Sequence, residues 1–203
     1  MKTLIACPVH ICKSYALMPW IEAVCGLRPE RVHHDFELLW LDNSPRHEIY
    51  DLYHKILPVG ILTSPEDLPM QRIARSMEAI RWHMLYNDFS NWLSLECDVI
   101  PSPNALNEML VNADAFNLDW LSATVPGREN DQPIRFGFGC SLFSRRFCER
   151  VKFGQEHPGQ APDAFVMKII KELDLGLNVA ELPAGVITLK HLKNPDPELE
   201  VHW

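Results

Sequence analysis

Several absences narrow the reading before any motif is considered. No apolar run approaches the ~20 residues that a membrane span needs. The opening Leu4-Ile5-Ala6-Cys7-Pro8-Val9 run is too brief for a secretory signal. Cys7, Cys12, Cys25, Cys97, Cys140 and Cys148 include no Cys-x-x-Cys pair, so neither a dithiol motif nor a zinc ribbon is present. Cys7, His10 and Cys12 do not have the spacing of a standard zinc site. Several of these thiols sit in apolar runs, where free cysteine packs as a small hydrophobe. The expectation is a reducing, cytoplasmic protein without disulfides and without membrane insertion. Neither an internal repeat nor a low-complexity tract is visible. Net charge is -8, which disfavours bulk attraction to nucleic acid or anionic lipid. Only Arg145, Arg146, Arg150 and Lys152 gather enough positive charge for a local footprint.

What is present is alternation. At 203 residues, 47% of them hydrophobic, the chain can enclose one full core. Residues 2–9 form a nearly all-apolar strand broken by Pro8, of the kind buried on both faces of a parallel sheet. Further strands are expected at 36–41, 59–63, 92–100, 118–124, 134–143, 177–182 and 185–192. Helices are expected between them at 15–25, 48–55, 70–86, 102–112, 145–151 and 161–173. Ser102 and Pro103 supply a cap and first turn for the fourth helix, and Ser144 caps the fifth. Residues 64–69 and 128–133 are polar loops, the second long enough to cover a site. This order predicts an α/β fold, a single domain over 1–203 with a mostly parallel sheet flanked by helices. Residues 194–203 form a charged surface tail.

The chemistry concentrates at the end of the fourth strand. Leu93, Leu95, Cys97 and Val99 share one face by period-2 alternation; Ser94, Glu96 and Asp98 share the other. Two carboxylates aimed the same way repel, so such a pair calls for a shared cation. A divalent ion carrying a diphosphate meets that need, whereas a plain strand end would simply hydrate both acids. Asp42 and Asn43 close the second strand, where open α/β sheets bind ligands; an Asx turn before Pro45 explains them equally well. Arg75, near the start of the third helix, is placed either to reach a phosphate or ribose or to lie on the surface. Gly137 and Gly139 alternate with large residues, which lets something approach that backbone closely. Asp163 opens the sixth helix, where a carboxylate suits the macrodipole. The last strand delivers His191 and Lys193.

Taken in order, these pieces resemble the family-2-like, GT-A-fold glycosyltransferases that use nucleotide sugars, over roughly residues 2–193. Cys7-Pro8-Val9-His10 is similar to that family's first nucleotide-binding loop, and Trp40-Leu41-Asp42-Asn43-Ser44 to its second-strand acid. Arg72-Ile73-Ala74-Arg75-Ser76 resembles the Arg-Asn helix start, with Ser76 in place of asparagine. Leu95-Glu96-Cys97-Asp98-Val99-Ile100-Pro101 resembles the Asp-x-Asp metal motif. The 137–142 segment followed by Arg145 and Arg146 is similar to the acceptor-side segment. Asp163-Ala164-Phe165 resembles the start of the helix bearing the catalytic base, and His191 the late histidine of the metal shell. Glu96 is longer than the usual aspartate, and Pro162 stands where a second acid is common.

The resemblance implies a transferase moving a sugar from a nucleotide-diphosphate sugar, a UDP-sugar favoured, to an acceptor hydroxyl. It assigns Pro8, Val9, His10, Asp42, Asn43, Arg75, Glu96 and Lys193 to the donor, and Gly137 and Gly139 to the acceptor side. Glu96, Asp98 and His191 would hold Mn2+ or Mg2+, imidazole favouring Mn2+. Asp163 is the base if the reaction inverts; a retaining reaction needs none there. The acceptor is a glycan, a protein or a modified DNA base. Two alternatives stand beside it. A sugar-phosphate nucleotidyltransferase would carry a glycine-rich phosphate loop after the first strand, and residues 8–13 contain no glycine. A non-catalytic nucleotide- or glycan-binding module would have lost the metal set.

Overall fold

Alternation along the first strand sets the architecture. In β1 (Lys2–Val9), Ile5, Cys7 and Val9 join one buried cluster while Leu4 and Ala6 join another. A strand buried on both faces must lie inside a covered sheet. The computed structural model, which describes residues 2–27, 35–62, 68–126 and 136–195, places it there.

The other strands are β2 (Asp35–Asp42), β3 (Val59–Ile61), β4 (Asn91–Leu95), β5 (Val99–Pro101), β6 (Trp120–Ser122), β7 (Cys140–Ser144), β8 (Val179–Glu181) and β9 (Leu189–His191). Seven of them form one sheet in the order β3-β2-β1-β4-β7-β6-β8. Pairings β1–β2, β1–β4, β2–β3 and β6–β8 are parallel, and β7 runs antiparallel to both neighbours. The fold is α/β with a mostly parallel sheet flanked by helices.

One cluster takes Leu17, Trp20 and Val24 from α1 (Ser14–Cys25) and Leu106 and Met109 from α4 (Ala105–Ala115). The other takes Met77, Ile80 and Met84 from α3 (Pro69–Tyr86), Phe147 from α5 (Arg145–Arg150) and Val166 from α6 (Pro162–Leu173). The short α2 (Glu48–Tyr53) adds Ile49 to the first. Phe143 centres an aromatic group on the second face, 5.2 Å from Trp92, 5.7 Å from Trp120 and 4.8 Å from Phe147. Trp92 Nε1 donates to the Ala6 carbonyl at 3.1 Å and Trp120 Nε1 to Ser141 Oγ at 2.9 Å, so both indoles are buried with their polar edge satisfied.

Four expectations are corrected. The strand expected over 92–100 ends at Leu95. Its pairing with β1 stops at Ala6, two residues before Pro8, which has no N–H to offer. The chain then turns, Val99 N donating to the Glu96 carbonyl at 2.9 Å, and re-enters as β5, antiparallel to β9 in a separate two-stranded sheet. The fourth helix begins at Ala105, because Ser102 exchanges hydrogen bonds with Thr188 instead. The strand expected over 134–143 is only Cys140–Ser144, preceded by a turn. The last two strands each shorten to three residues. The loop at 128–133, most of that at 64–69 and the tail from 196 onward lie outside the described residues. Among the described residues no helix is long and apolar enough to cross a membrane.

Candidate active site

The chain leaves β1 outward to β2 and β3, then returns to β4 on the other side. Such a reversal opens a crevice outside the carboxyl ends of the strands. Three segments rim it: the 3-10 turn Ile11–Lys13 after β1, residues 42–44 after β2, and residues 96–98 after β4.

Glu96, Asp98 and His191 come together there, each offering a ligand atom within 4.8 Å of the others. The turn after Leu95 sets the two acids, and the Gly139 carbonyl fixes the first by accepting Glu96 N at 2.9 Å. A Cβ on residue 139 would stand 3.0 Å from Val125 Cγ2 and 3.7 Å from the Glu96 carboxyl carbon. Glycine there keeps room for the Val125 side chain, while the Glu96 carboxyl would stand at ordinary contact distance. His191 arrives across 93 positions of chain because β9 pairs with β5 and Leu192 N donates to the Asp98 carbonyl at 2.8 Å.

Asp98 is fully buried, and each of its carboxylate oxygens faces a base: Oδ1 meets Lys13 Nζ at 3.0 Å, Oδ2 meets His191 Nε2 at 3.3 Å. Lys13 also lies 3.8 Å from Glu96 Oε2. His191 Nδ1 is 2.9 Å from the Pro126 carbonyl. A carbonyl only accepts, so Nδ1 carries a proton and Nε2 is the ring nitrogen turned to Asp98. Between Nε2 and the Asp98 carboxylate a proton or a cation can be shared. Two carboxylates and an imidazole nitrogen, one position held by outer-shell bonding, suit a divalent ion with Mn2+-like tolerance for nitrogen.

The side of the crevice formed by residues 8–10 and 42–44 is more closed. Asp42 Oδ1 accepts Ser44 N at 2.8 Å and Oδ2 accepts Tyr50 N at 2.9 Å, so the Asx turn is realised and the carboxylate also anchors α2. Asn43 N donates to the Val9 carbonyl at 3.0 Å and Asn43 Nδ2 to Ser76 Oγ at 3.4 Å. Pro8 and Val9 serve as backbone, paired to Leu41 and Asp42. His10 Nδ1 accepts Cys12 N at 3.3 Å. Burial, and then the Arg72 charge, hold this imidazole below its ordinary pKa, hence neutral. Beneath the crevice the buried, free Cys7 thiol shares a hydrogen bond with Cys97, tying the first strand to the turn that carries Glu96 and Asp98; burial and that neighbour push its pKa well up.

Lys13 is a crevice residue that sequence reasoning missed, and of the 72–76 helix start it is Arg72, not the expected Arg75, whose charge acts on His10. The acid pair's need for a cation was the available signal for Lys13, one turn beyond the first strand. Arg75 lies three residues beyond Arg72 but lines a separate cavity with Glu78 and Trp82. Lys193 is exposed two residues past His191. Gly137 gives its carbonyl to Ser141 Oγ at 2.8 Å and Ser122 Oγ at 3.3 Å. Asp163 sits in the first turn of α6, its Oδ1 accepting Ala164 N at 2.8 Å. Burial pushes its carboxyl above the usual carboxylate range, against that backbone hydrogen bond. The arginines of the expected basic footprint lie at the surface with partners in the chain itself: Arg145 on Glu149 and the Leu85 carbonyl, Arg146 on Asp119, Arg150 on the Leu175 carbonyl.

No protein-family model and no curated protein sequence matches the chain. Solved structures do. S. aureus TarS 1-349 in complex with UDP-GlcNAc aligns with TM-score 0.65 at 11% identity, over 100% of this chain and 62% of that one. Mannosyltransferase PcManGT from Pyrobaculum calidifontis, in complex with GDP-Man and Mn2+, aligns with TM-score 0.54 at 14% identity, over 90% of this chain and 55% of that one. The chain has a GT-A-like fold. CMP:2-keto-3-deoxy-manno-octonic acid synthetase complexed with CTP aligns with TM-score 0.53 at 13% identity, over 90% of this chain and 89% of that one. The GT-A-like unit described here thus spans about three fifths of TarS 1-349, and 36% of the longer TarS chain.

Proposed function

We propose that this protein is a metal-dependent glycosyltransferase that moves a sugar from a nucleotide-diphosphate sugar, a UDP-sugar favoured, to an acceptor hydroxyl. The convergence of Glu96, Asp98 and His191 at the crevice, with Lys13 beside them, carries the reading. These three would hold Mn2+ or Mg2+; bound there, the ion supplies Lewis-acid stabilisation to the departing diphosphate. Lys13 and Lys193 add positive charge on the phosphate side. His10, the backbone of Pro8 and Val9, and the floor built by Asp42 and Asn43 orient the nucleoside. Arg72 closes the same side next to His10. Asp163 takes the proton from the acceptor hydroxyl if the reaction inverts, a role in which its raised pKa makes it a stronger base.

A nucleotidyltransferase is the second reading, supported by the likeness to the CTP-bound synthetase. Its weakness is the glycine-free stretch between Pro8 and Lys13. Product analysis separates the two. With Mn2+ and UDP-, GDP- or CDP-sugars, a glycosyltransferase releases the nucleoside diphosphate and passes the sugar to an acceptor or to water. Pyrophosphate released from a nucleoside triphosphate plus a sugar phosphate would replace that conclusion with the second. Neither product from any donor leaves the non-catalytic module.

A further inference from the structure

Lys13 stands beside two of the three side chains proposed to hold the metal. Its Nζ lies 3.0 Å from Asp98 Oδ1 and 3.8 Å from Glu96 Oε2, and 18% of its side chain is exposed. The third, His191, meets the other oxygen of the same carboxylate, Oδ2, at 3.3 Å. An ion held by Asp98 and His191 would therefore share one fully buried carboxylate with an ammonium.

Charge decides whether both cations can stay. Two carboxylates against one ammonium leave a single negative charge. Adding a dication while the ammonium remains would reverse that sign next to a fully buried group. Two cations so placed repel, and surroundings this dry screen them less than bulk water does. Exchanging the ammonium for the dication leaves the cluster neutral. Asp98 is then paired before and after, as a buried charge must be.

The fold lets this side chain move while its backbone stays fixed. Lys13 closes the 3-10 turn, its N–H donating to the His10 carbonyl at 2.9 Å, and α1 begins at the next residue. Ile11 N donates to Ser44 Oγ at 2.9 Å, fastening the same turn to the segment after β2. What remains adjustable is the four-carbon stem, a flexible carrier of a compact charge. A diphosphate bridging to the same ion would bring phosphate oxygens into the crevice, and these are good partners for a displaced ammonium. We infer that Lys13 is an exchangeable counter-cation: it holds Asp98 until a divalent ion takes that carboxylate, then turns to the diphosphate of the donor. The inference rests on the metal-dependent donor reading. It adds that Lys13 opposes the ion alone and couples it to the nucleotide.

The test titrates Mn2+ against the intact chain by EPR, with and without UDP or GDP. Wild type, Lys13→Met and Lys13→Arg are compared, with thermal melts confirming that each is folded. Without nucleotide, Lys13→Met is expected to bind Mn2+ about tenfold or more tighter than wild type, and Lys13→Arg no tighter. Nucleotide should raise the Mn2+ affinity of wild type by a larger factor than that of Lys13→Met, because only wild type gains a partner for a displaced ammonium. A second measurement needs no variant: acylation of Lys13 by an amine-reactive ester, followed by peptide mass spectrometry. Mn2+ is expected to speed it severalfold, and nucleotide with Mn2+ to slow it again. Mn2+ binding no tighter in Lys13→Met than in wild type, or acylation of Lys13 indifferent to bound Mn2+, overturns the exchange and leaves the donor reading standing. Failure of wild type and both variants to bind Mn2+, with or without nucleotide, removes the donor reading instead, and the exchange with it.

Discussion

Asp98 is the residue on which the site turns, because it is fully buried between two bases. Removing one partner of a buried ion pair strands the other charge, at roughly 3 kcal/mol or more. Lys13→Ala is therefore expected to lower stability to urea by about that amount, with Mn2+ restoring part of it by binding the folded state. Stability unchanged from wild type would show that Asp98 does not depend on the ammonium. His10 gives a pH signature. Burial and Arg72 hold its folded pKa below the ordinary 6.5. The unfolded chain therefore takes up a proton that the folded chain refuses. Its contribution is fully present above about 6.5 and is lost as pH falls below it. Urea midpoints at pH 7.5 and 5.5 should differ, and the difference should shrink in His10→Gln. Asp163 carries the opposite shift: if it is the base of the proposed transfer, its raised pKa moves the acid limb of the rate above the 3.8 of an ordinary aspartate. An inverting enzyme should lose ~10²–10⁴ in rate in Asp163→Asn.

At the scale of elements, the small β5–β9 sheet does the positioning. Lys190 lies opposite Ile100, and its exposed side chain makes it a clean place to break the ladder. Lys190→Pro removes one cross-strand hydrogen bond and shifts His191. Mn2+ affinity measured by EPR is expected to fall about 10–100-fold while the melting curve stays cooperative. Unchanged affinity would mean that β9 does not place the histidine. This sheet was not legible in the sequence. The alternation of Leu93, Leu95, Cys97 and Val99 continues through the turn, so periodicity alone runs β4 into β5. What ends the strand is the loss of partners beyond Ala6 and Cys140, fixed by distant pairing. The Ser102 start failed for a related reason, its hydroxyl being engaged with Thr188 across the same small sheet. Asp42 was legible both ways, and the Asx turn is what its oxygens make.

Over the whole molecule, the two-faced burial of β1 and the alternation of strands with helices were written plainly in the pattern of apolar residues. The aromatic concentration around Phe143 was not, since Trp92, Trp120 and Phe147 converge from separate elements. Phe143→Ala is expected to cost about 3–5 kcal/mol, read from urea unfolding; a loss under about 1 kcal/mol would mean that the group repacks. Arg81 was equally hidden: a charged residue on the helix's apolar side is legible as an exception only once Glu78 and the Cys148 carbonyl are seen to bind it.

Calorimetric titration of UDP, GDP, CDP and their sugar conjugates, with and without Mn2+, addresses the central claim most directly. Wild type would be compared with Asp98→Ala and His191→Ala. The account predicts that one nucleoside diphosphate binds at micromolar concentration only with the metal, and that both variants lose this binding while remaining folded. Absence of any metal-dependent nucleotide binding in wild type, or its survival in both variants, would contradict it.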